Sequence, residues 1–297
     1  MKRSLPRYPL QIRIAPKLQA GMAALQRVLH GMTEPDPALS FIMAEGDEAI
    51  LLGGMGELQL DTAIEEIRAR GIDLEIGAPE IAYLETIARK ASSDFTHKRH
   101  QFGKGQFARV ILEIEPNSRD GGFHFENRAP AGSIPEVFMS GVERGVCSLL
   151  RAGPVMGMPV VDIKAAVLDG AYHETDSSVS TFEIAARAAF REAMALAAPI
   201  VLEPVMHVTV SVPADSLGAI IANLHSRRGT VVETHDMQDG CKIGALVPLV
   251  NLYGYSNTLR VLTEGRGHFS QSYSHDQPLP GPGDDPGRFP PAVGMRL

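Results

Sequence analysis

The sequence predicts an α+β protein built from three globular units, and two observations carry that expectation. The order strand, helix, strand, strand, helix, strand runs from Pro9 to Ile76 and returns from His207 to Ser274. That order is the ferredoxin-like split βαβ pattern. The long stretch between the two copies follows a different pattern, so it reads as a separate unit. At 297 residues the chain has room for two or three domains. The expected boundaries are 8–79, 80–198 and 199–276, with 277–297 as a tail.

In the first copy, Leu10, Ile12 and Ile14 alternate as one face of a strand over Pro9 to Ile14. Pro16 suits the first turn of a helix running to about His30, with Leu18, Met22, Leu25 and Leu29 on its apolar side. Leu39 to Met43 and Ala49 to Leu52 read as strands joined by an acidic turn at Glu45 to Glu48. Gly53-Gly54-Met55-Gly56 leads into a second helix, with Leu58, Ile64 and Ile67 inward and Gly71 as its stop. Ile72, Leu74 and Ile76 alternate again.

The second copy begins with alternation over His207 to Val212. Asp215 to His225 is helical, with Leu217, Ile220, Ile221 and Leu224 apolar, and Arg227-Arg228-Gly229 turns the chain. Strands follow at Thr230 to Thr234 and Lys242 to Val247 around Asp239-Gly240, then a helix over Ser256 to Thr263 and a strand over His268 to Ser274. From Gln277 the chain is rich in Pro and Gly, a composition that cannot bury a core, so the tail is expected to be disordered.

In the middle unit, His97 to Arg109 reads as a loop entering a strand at Phe107 to Glu115, and Phe123 to Asn127 is a second strand. Pro135 to Ala152 reads as a helix with Val137, Val142, Val146 and Leu149/Leu150 on one side. Pro159 to Thr181 is apolar and β-rich at its start and opens a helix at its end, with the polar loop Gly170 to Asp176 between. Ser180 and Glu183 have the spacing of a capping box. Behind them Phe182, Ala186, Ala189, Phe190, Ala193 and Ala197 form one helical stripe. Such a loop between two well-specified elements projects His173 from a rigid base.

Composition narrows the class of function. Apolar residues make up 44% and charged residues 21%, the balance of an ordinary soluble chain. No run of about eighteen apolar residues is present, so no membrane span is expected. Met1-Lys2-Arg3-Ser4-Leu5-Pro6 lacks the apolar centre of a signal peptide, and Cys147 and Cys241 form no ligand motif, so a reduced cytoplasm with two buried thiols is expected. The net charge of −7 excludes a chain that is basic all over. Binding to RNA must therefore rest on local basic loops.

Several short motifs, in this order and spacing, carry a family resemblance. They are Gly54-Met55-Gly56-Glu57-Leu58, Gly105-Gln106-Phe107-Ala108, Ala152-Gly153-Pro154, Pro159-Val160-Val161-Asp162, Tyr172-His173-Glu174-Thr175-Asp176-Ser177-Ser178, Leu202-Glu203-Pro204-Val205-Met206, Ser226-Arg227-Arg228-Gly229, Gly254-Tyr255 and Thr263-Glu264-Gly265-Arg266-Gly267. Over about Pro9 to Pro280 the chain resembles the third, fourth and fifth domains of translation elongation factor G. Two departures stand out: Gln59 replaces a usual His, and Phe102-Gly103 replaces Gly-Gly. The resemblance implies a ferredoxin-like first and last domain and a ribosomal protein S5 domain 2-like middle one. It implies the ribosome as partner, through ribosomal RNA and ribosomal proteins, with messenger and transfer RNA at the decoding site. It further implies action in translocation or ribosome recycling, as a monomer. The sequence contains no Gly-x-x-x-x-Gly-Lys-Ser/Thr loop, so no cofactor is expected in this chain, and the GTP and magnesium of the family belong to a domain outside this sequence.

The functional residues each carry a plainer alternative. His97 to Arg109 is a solvated basic loop or an RNA-contacting finger, with charge from Arg99 and Lys104, close backbone approach at Gly103 and Gly105, and Phe102 stacking beside Gln106. Tyr172, His173 and Glu174 are a neutral loop or, by the resemblance, the tip that reaches the decoding site. No metal site is expected there, because Asp176 reads better as an acceptor at the helix start. Arg227, Arg228 and Arg266 are charges at helix ends or, by the resemblance, contacts to large-subunit RNA. Gly53 to Gly56 is an anion site at a helix N-terminus or a tight packing turn. No catalytic residue is expected, since no nucleophile with a base is evident. Two other classes stay open: a small-molecule enzyme on the middle domain's superfold, and an inactive gene fragment.

Overall fold

A computed structural model describes residues 8–18, 21–44, 49–101, 104–237 and 239–280. Its elements in order are β1 (Leu10–Pro16), α1 (Met22–Thr33), β2 (Ser40–Met43), β3 (Ile50–Gly54), α2 (Glu57–Ala69), β4 (Leu74–Ile81), β5 (Leu84–Ile87), β6 (Ala91–Gln101), β7 (Lys104–Pro116), β8 (His124–Asn127), α3 (Glu136–Cys147), β9 (Ile163–Ala171), α4 (Val179–Leu196), β10 (Pro199–Val212), α5 (Leu217–Ser226), β11 (Thr230–Met237), β12 (Gly240–Pro248), α6 (Tyr255–Leu262) and β13 (His268–Pro278). The described chain divides into two compact units, one of residues 83–202 and one joining residues 8–82 to 203–280.

The second of these units holds both copies of the repeated pattern. Their sheets have strand orders β2-β3-β1-β4 and β11-β12-β10-β13, so the same topology occurs twice. Leu10, Ile12 and Ile14 point inward from β1, and Val208, Val210 and Val212 do so from β10. In both strands the alternation that predicts a half-buried strand is what fills the core. The apolar residues of the two modules, among them Leu25, Leu29, Ile64, Ile67, Ile220, Leu224 and Leu259, join into one cluster.

Several expectations in this unit need correction. Pro16 ends β1, paired with Leu74, instead of opening a helix. A terminal strand position suits a residue without an N–H. The helix begins only at Met22, which leaves Leu18 77% exposed. In α2 the buried stripe is Leu60, Ala63, Ile64 and Ile67, with Leu58 on the opposite side at 71% exposure. Two residues along a helix is about 200° of rotation, so Leu58 and Leu60 cannot share a face. Ile76 is exposed on β4, an outer strand. Gly71 takes φ +82° just past α2, the left-handed stop the sequence suggests. Gln277 and Pro278 belong to β13, so part of the expected tail is ordered strand, and residues 281–297 lie outside the described ones. The acidic turn at 45–48 also lies outside them.

The other unit is a sheet of order β6-β7-β9-β8 with α4 packed on it and α3 packed against α4. Its core is built from Val110, Leu112 and Ile114 of β7, Ile163, Ala165 and Val167 of β9, and Phe182, Ala186, Ala189, Phe190, Ala193 and Ala197. The first residues of β10 pair with β5 in this unit, Pro199 opposite Ile87 through Leu202 opposite Leu84. Here too the structure corrects the sequence reading. The stretch from His97 is not a loop: β6 and β7 form a long antiparallel hairpin, in register from Ala91 opposite Ile114 to Gln101 opposite Lys104. The helix after Pro135 ends at Cys147, and its buried line is Met139, Val142 and Val146, which leaves Val137 63% exposed. The N-cap of α4 is Ser178, whose Oγ accepts from Thr181 N at 3.1 Å, so the Ser180–Glu183 box does not form and Glu183 pairs with Arg187. Cys241 is buried, whereas Cys147 is only half-buried.

Candidate functional site

Two segments far apart in sequence converge at one end of the unit formed by residues 83–202. The first is the distal part of the β6–β7 hairpin. The second is the turn from Tyr172 to Ser178 between β9 and α4. β7 pairs with β9 as far as Arg109 opposite Ala171, which brings the turn alongside the hairpin. Backbone and side-chain bonds then lock them together. Phe107 N donates to Asp176 O at 2.9 Å, and Ser177 Oγ donates to Phe107 O at 2.6 Å. The same Oγ accepts from His173 N at 2.9 Å, while Ser177 N donates to His173 O at 3.1 Å. A Cβ on Gly105 would run into the Asp176 carboxylate, which would have to turn aside.

The side chains at this end are polar and open to solvent. Lys98, Arg99, His100 and Gln106 are exposed on the hairpin, and Tyr172, His173, Glu174 and Thr175 are exposed on the turn. His97 Nε2 lies 3.1 Å from Gln106 Oε1 across the strands. Arg99 stands opposite Gln106, and Lys104 opposite Gln101. Phe102 and Gly103 lie outside the described residues. Arg109, further along β7, is held by Asp94, its Nε donating to Oδ1 at 2.8 Å. That bond holds the Asp94 carboxyl below its usual range. Tyr172 is anchored by aromatic contact: its ring lies 6.2 Å from Phe138, which stacks on the buried Phe182 at 5.1 Å.

Asp176 does not act as the helix-start acceptor the sequence suggests; Ser178 has that role. Its carboxylate instead accepts from Thr175 Oγ1 at 3.2 Å and sits 3.5 Å from His173 Nδ1. Thr175 Oγ1 lies 3.1 Å from the same ring nitrogen. The imidazole is thus oriented from its Nδ1 side. Among the described residues no group of three or more His, Cys, Asp or Glu is placed to hold a metal ion. Sequence reasoning named the tip residues but missed Phe107, Asp176 and Ser177 as the lock beneath them. The Gly105 beside Phe107 and the two serines after Asp176 were the available signal.

The three arginines of the other unit have different surroundings. Arg227 donates from Nε to Asn223 Oδ1 at 3.1 Å, from Nη1 to Asn251 O at 2.5 Å and from Nη2 to Thr258 Oγ1 at 3.0 Å. Its guanidinium also lies 5.2 Å from the centroid of the buried Tyr255 ring. Burial pulls the Arg227 pKa down and pushes the Tyr255 phenol up to about 12. Arg228, at φ +60°, forms a two-pronged pair with Glu203, which is 1% exposed. Gln277 Nε2 completes that site, donating to Glu203 Oε1 at 3.0 Å. Arg266 is exposed and pairs with Asp215 at 3.2 Å.

The glycines before α2 fit the packing reading. Gly53, Gly54 and Gly56 are buried, and a Cβ at Gly53 would lie 2.8 Å from Tyr8 Cβ and one at Gly54 2.9 Å from Leu60 Cδ2. Gln59 accepts from Met55 N at 2.8 Å and donates to Asp36 at 2.8 Å, a role that uses both ends of its amide.

Comparison with known proteins matches this arrangement in order along the chain. Residues 5–78 match the model of elongation factor G domain III, residues 79–198 that of domain IV, and residues 200–285 that of the elongation factor G C-terminus. An elongation factor G of Rhodopseudomonas palustris (strain BisB18) is 41% identical over 276 residues, which is 92% of this chain and 40% of that protein. A crystal structure of a Thermus thermophilus protein superposes with a TM-score of 0.70 at 33% identity, covering 94% of this chain and 42% of its own. The chain thus spans about two fifths of the relatives it matches. Three family models that follow one another along nearly the whole sequence leave one assignment: the chain belongs to the elongation factor G family, as its domains III, IV and C-terminus.

Proposed function

We propose that this chain is a ribosome-binding translation factor segment, acting in translocation or recycling by placing its tip near the decoding centre. The observation that carries the reading is the convergence of the basic β6–β7 hairpin with the Tyr172–Ser178 turn, tied through Ser177 and Asp176. Lys98, Arg99 and Lys104 supply charge for phosphate, and Tyr172 offers a ring face for an unpaired base. His173, oriented through Nδ1, presents Nε2 as its remaining polar atom. In this reading the GTP and magnesium of the family act elsewhere, and the segment works by occupancy and contact. The ribosome is the partner, and messenger and transfer RNA are met at the tip.

The test is base-modification probing of purified ribosomes with and without the protein. Protection of bases in the small-subunit decoding region, lost when His173 and Arg99 are changed to Ala, is the expected result. Ribosome binding without protection in that region overturns the placement of the tip.

A further inference from the structure

We propose that the outer seam between α3 and α4 is a second RNA-binding surface, one that grips phosphodiester backbone away from the tip. The seam is built by close helix approach. A Cβ on Gly141 would run into Val179 O, and one on Gly145 into Glu183 O, so only glycine lets the two helices pack this tightly. That approach brings arginines of both helices onto common ground. Arg144 lies 4.0 Å from Glu183, and Arg187 donates to the same carboxylate at 2.8 Å and to Ser148 Oγ at 3.0 Å. Arg191 follows Arg187 by one turn, a rise of about 6 Å. Arg151 follows Ser148 three residues on, and both Arg151 and Arg191 are exposed.

Charge balance separates this face from the rest of the same unit. On the sheet, Lys90, Arg109, Arg128 and Lys164 are matched by Asp94, Glu113, Glu115 and Glu126 in ion pairs. At the seam, Glu183 stands between Arg144 and Arg187 and orients both, while the exposed Arg191 one turn further along α4 and Arg151 past the end of α3 have no ion pair among the described residues. Glu143 is two residues from both Gly141 and Gly145, about 200° around α3, so it faces away from the seam. Glu192 is turned to Ser93, at 2.7 Å. Guanidinium groups already held in place lose less freedom on meeting a phosphate, and their planar forks suit its oxygens. In a chain of net charge −7, a local excess of arginine is where a polyanion is steered. Nothing at the seam reads bases, so the partner is structured RNA met through its backbone, whatever its sequence.

This inference rests on the reading that the chain works on the ribosome, and a naked RNA duplex as probe keeps the two separable. The variant R151Q/R191Q removes the outer arginines and leaves the Glu183 contacts intact. Binding of a duplex of about twenty base pairs, measured against salt, should weaken roughly tenfold, and the salt slope should fall by about two. The same loss should appear in an Arg99→Glu background, where the tip is already disabled. Wild-type affinity and slope in R151Q/R191Q overturn the proposal, as does failure of the unaltered protein to bind the duplex at low salt. Displacement of the duplex by polyglutamate at equal charge also overturns it, because the seam would then be a general polyanion surface.

Discussion

The tip hairpin and the Arg227–Arg228 turn both place basic residues beside glycine in a chain reversal, yet they use them oppositely. On the hairpin, Lys98 and Arg99 are exposed to solvent, as are Tyr172 and His173 on the turn after β9. At the turn after α5, Arg227 and Arg228 face inward, onto Asn251 O, Thr258 and the buried Glu203. The difference lies in the acceptors, not in the arginines. A buried carboxylate must be paired, so Glu203 fixes Arg228. Among the described residues no buried carboxylate lies on the hairpin beside Arg99. Basic residues in a glycine-containing reversal are therefore left open to solvent in one place and made part of the packing in the other.

The largest expected effect tests that division. Arg228→Ala leaves Glu203 buried without its charged partner, held only by the Gln277 amide, and should cost about 3 kcal/mol, seen as a melting temperature lower by roughly 10 °C. Arg99→Ala should leave the melting temperature where it is. Equal effects from the two would erase the comparison.

Ser177→Ala comes next. It removes the acceptor of His173 N and the donor to Phe107 O, a loss of about 1–3 kcal/mol confined to the tip. Amide exchange at Phe107 and His173 should quicken while the α4 core stays protected. Unchanged exchange at both would show that the two segments are held by something other than Ser177.

A smaller effect concerns Glu85, which lies fully buried on β5 with Oε2 accepting from Met156 N at 2.9 Å. Burial raises its pKa above the ordinary value of 4.5, against the backbone N–H groups of Met156 and Val155, which lower it. The native state therefore holds this proton more tightly than the unfolded chain does. Its stabilising share is full below 4.5 and is lost as pH rises through the folded value. Glu85→Gln should flatten that slope in a stability profile taken upward from pH about 4, because an amide does not titrate. A slope unchanged in the variant would assign it to another group.

The smallest effect is at Tyr255, whose hydroxyl is buried with no hydrogen-bond partner among the described residues. Tyr255→Phe should leave stability unchanged or raise it by up to about 1 kcal/mol. A loss above that would reveal a partner for the hydroxyl. Arg266→Ala belongs at the same scale, since its pair with Asp215 is exposed.

These contrasts also show where the sequence is readable. β1, β10 and α4 are legible because one face of each is buried, and burial writes a period of two or of 3.6 into the residues. The distal hairpin is not, because both faces of residues 97–101 and 104–106 are polar and no period survives. Its pairing is set by cross-strand register alone. The tip loops are each conspicuous, but Ser177 and Phe107 stand 70 residues apart, so their bond has no local signature. The fate of Arg228 is decided by Glu203, 25 residues earlier. There the chain does carry a sign: a single acid inside the apolar run Val201-Leu202-Glu203-Pro204-Val205-Met206 needs a buried partner.

The most direct test of the account is the affinity of the protein for purified ribosomes after charge reversal at Arg99 and Lys104. The account predicts at least a tenfold loss, a flatter salt dependence, and an unchanged melting temperature. Ribosome binding equal to that of the unaltered protein would contradict it and remove the hairpin from the interface.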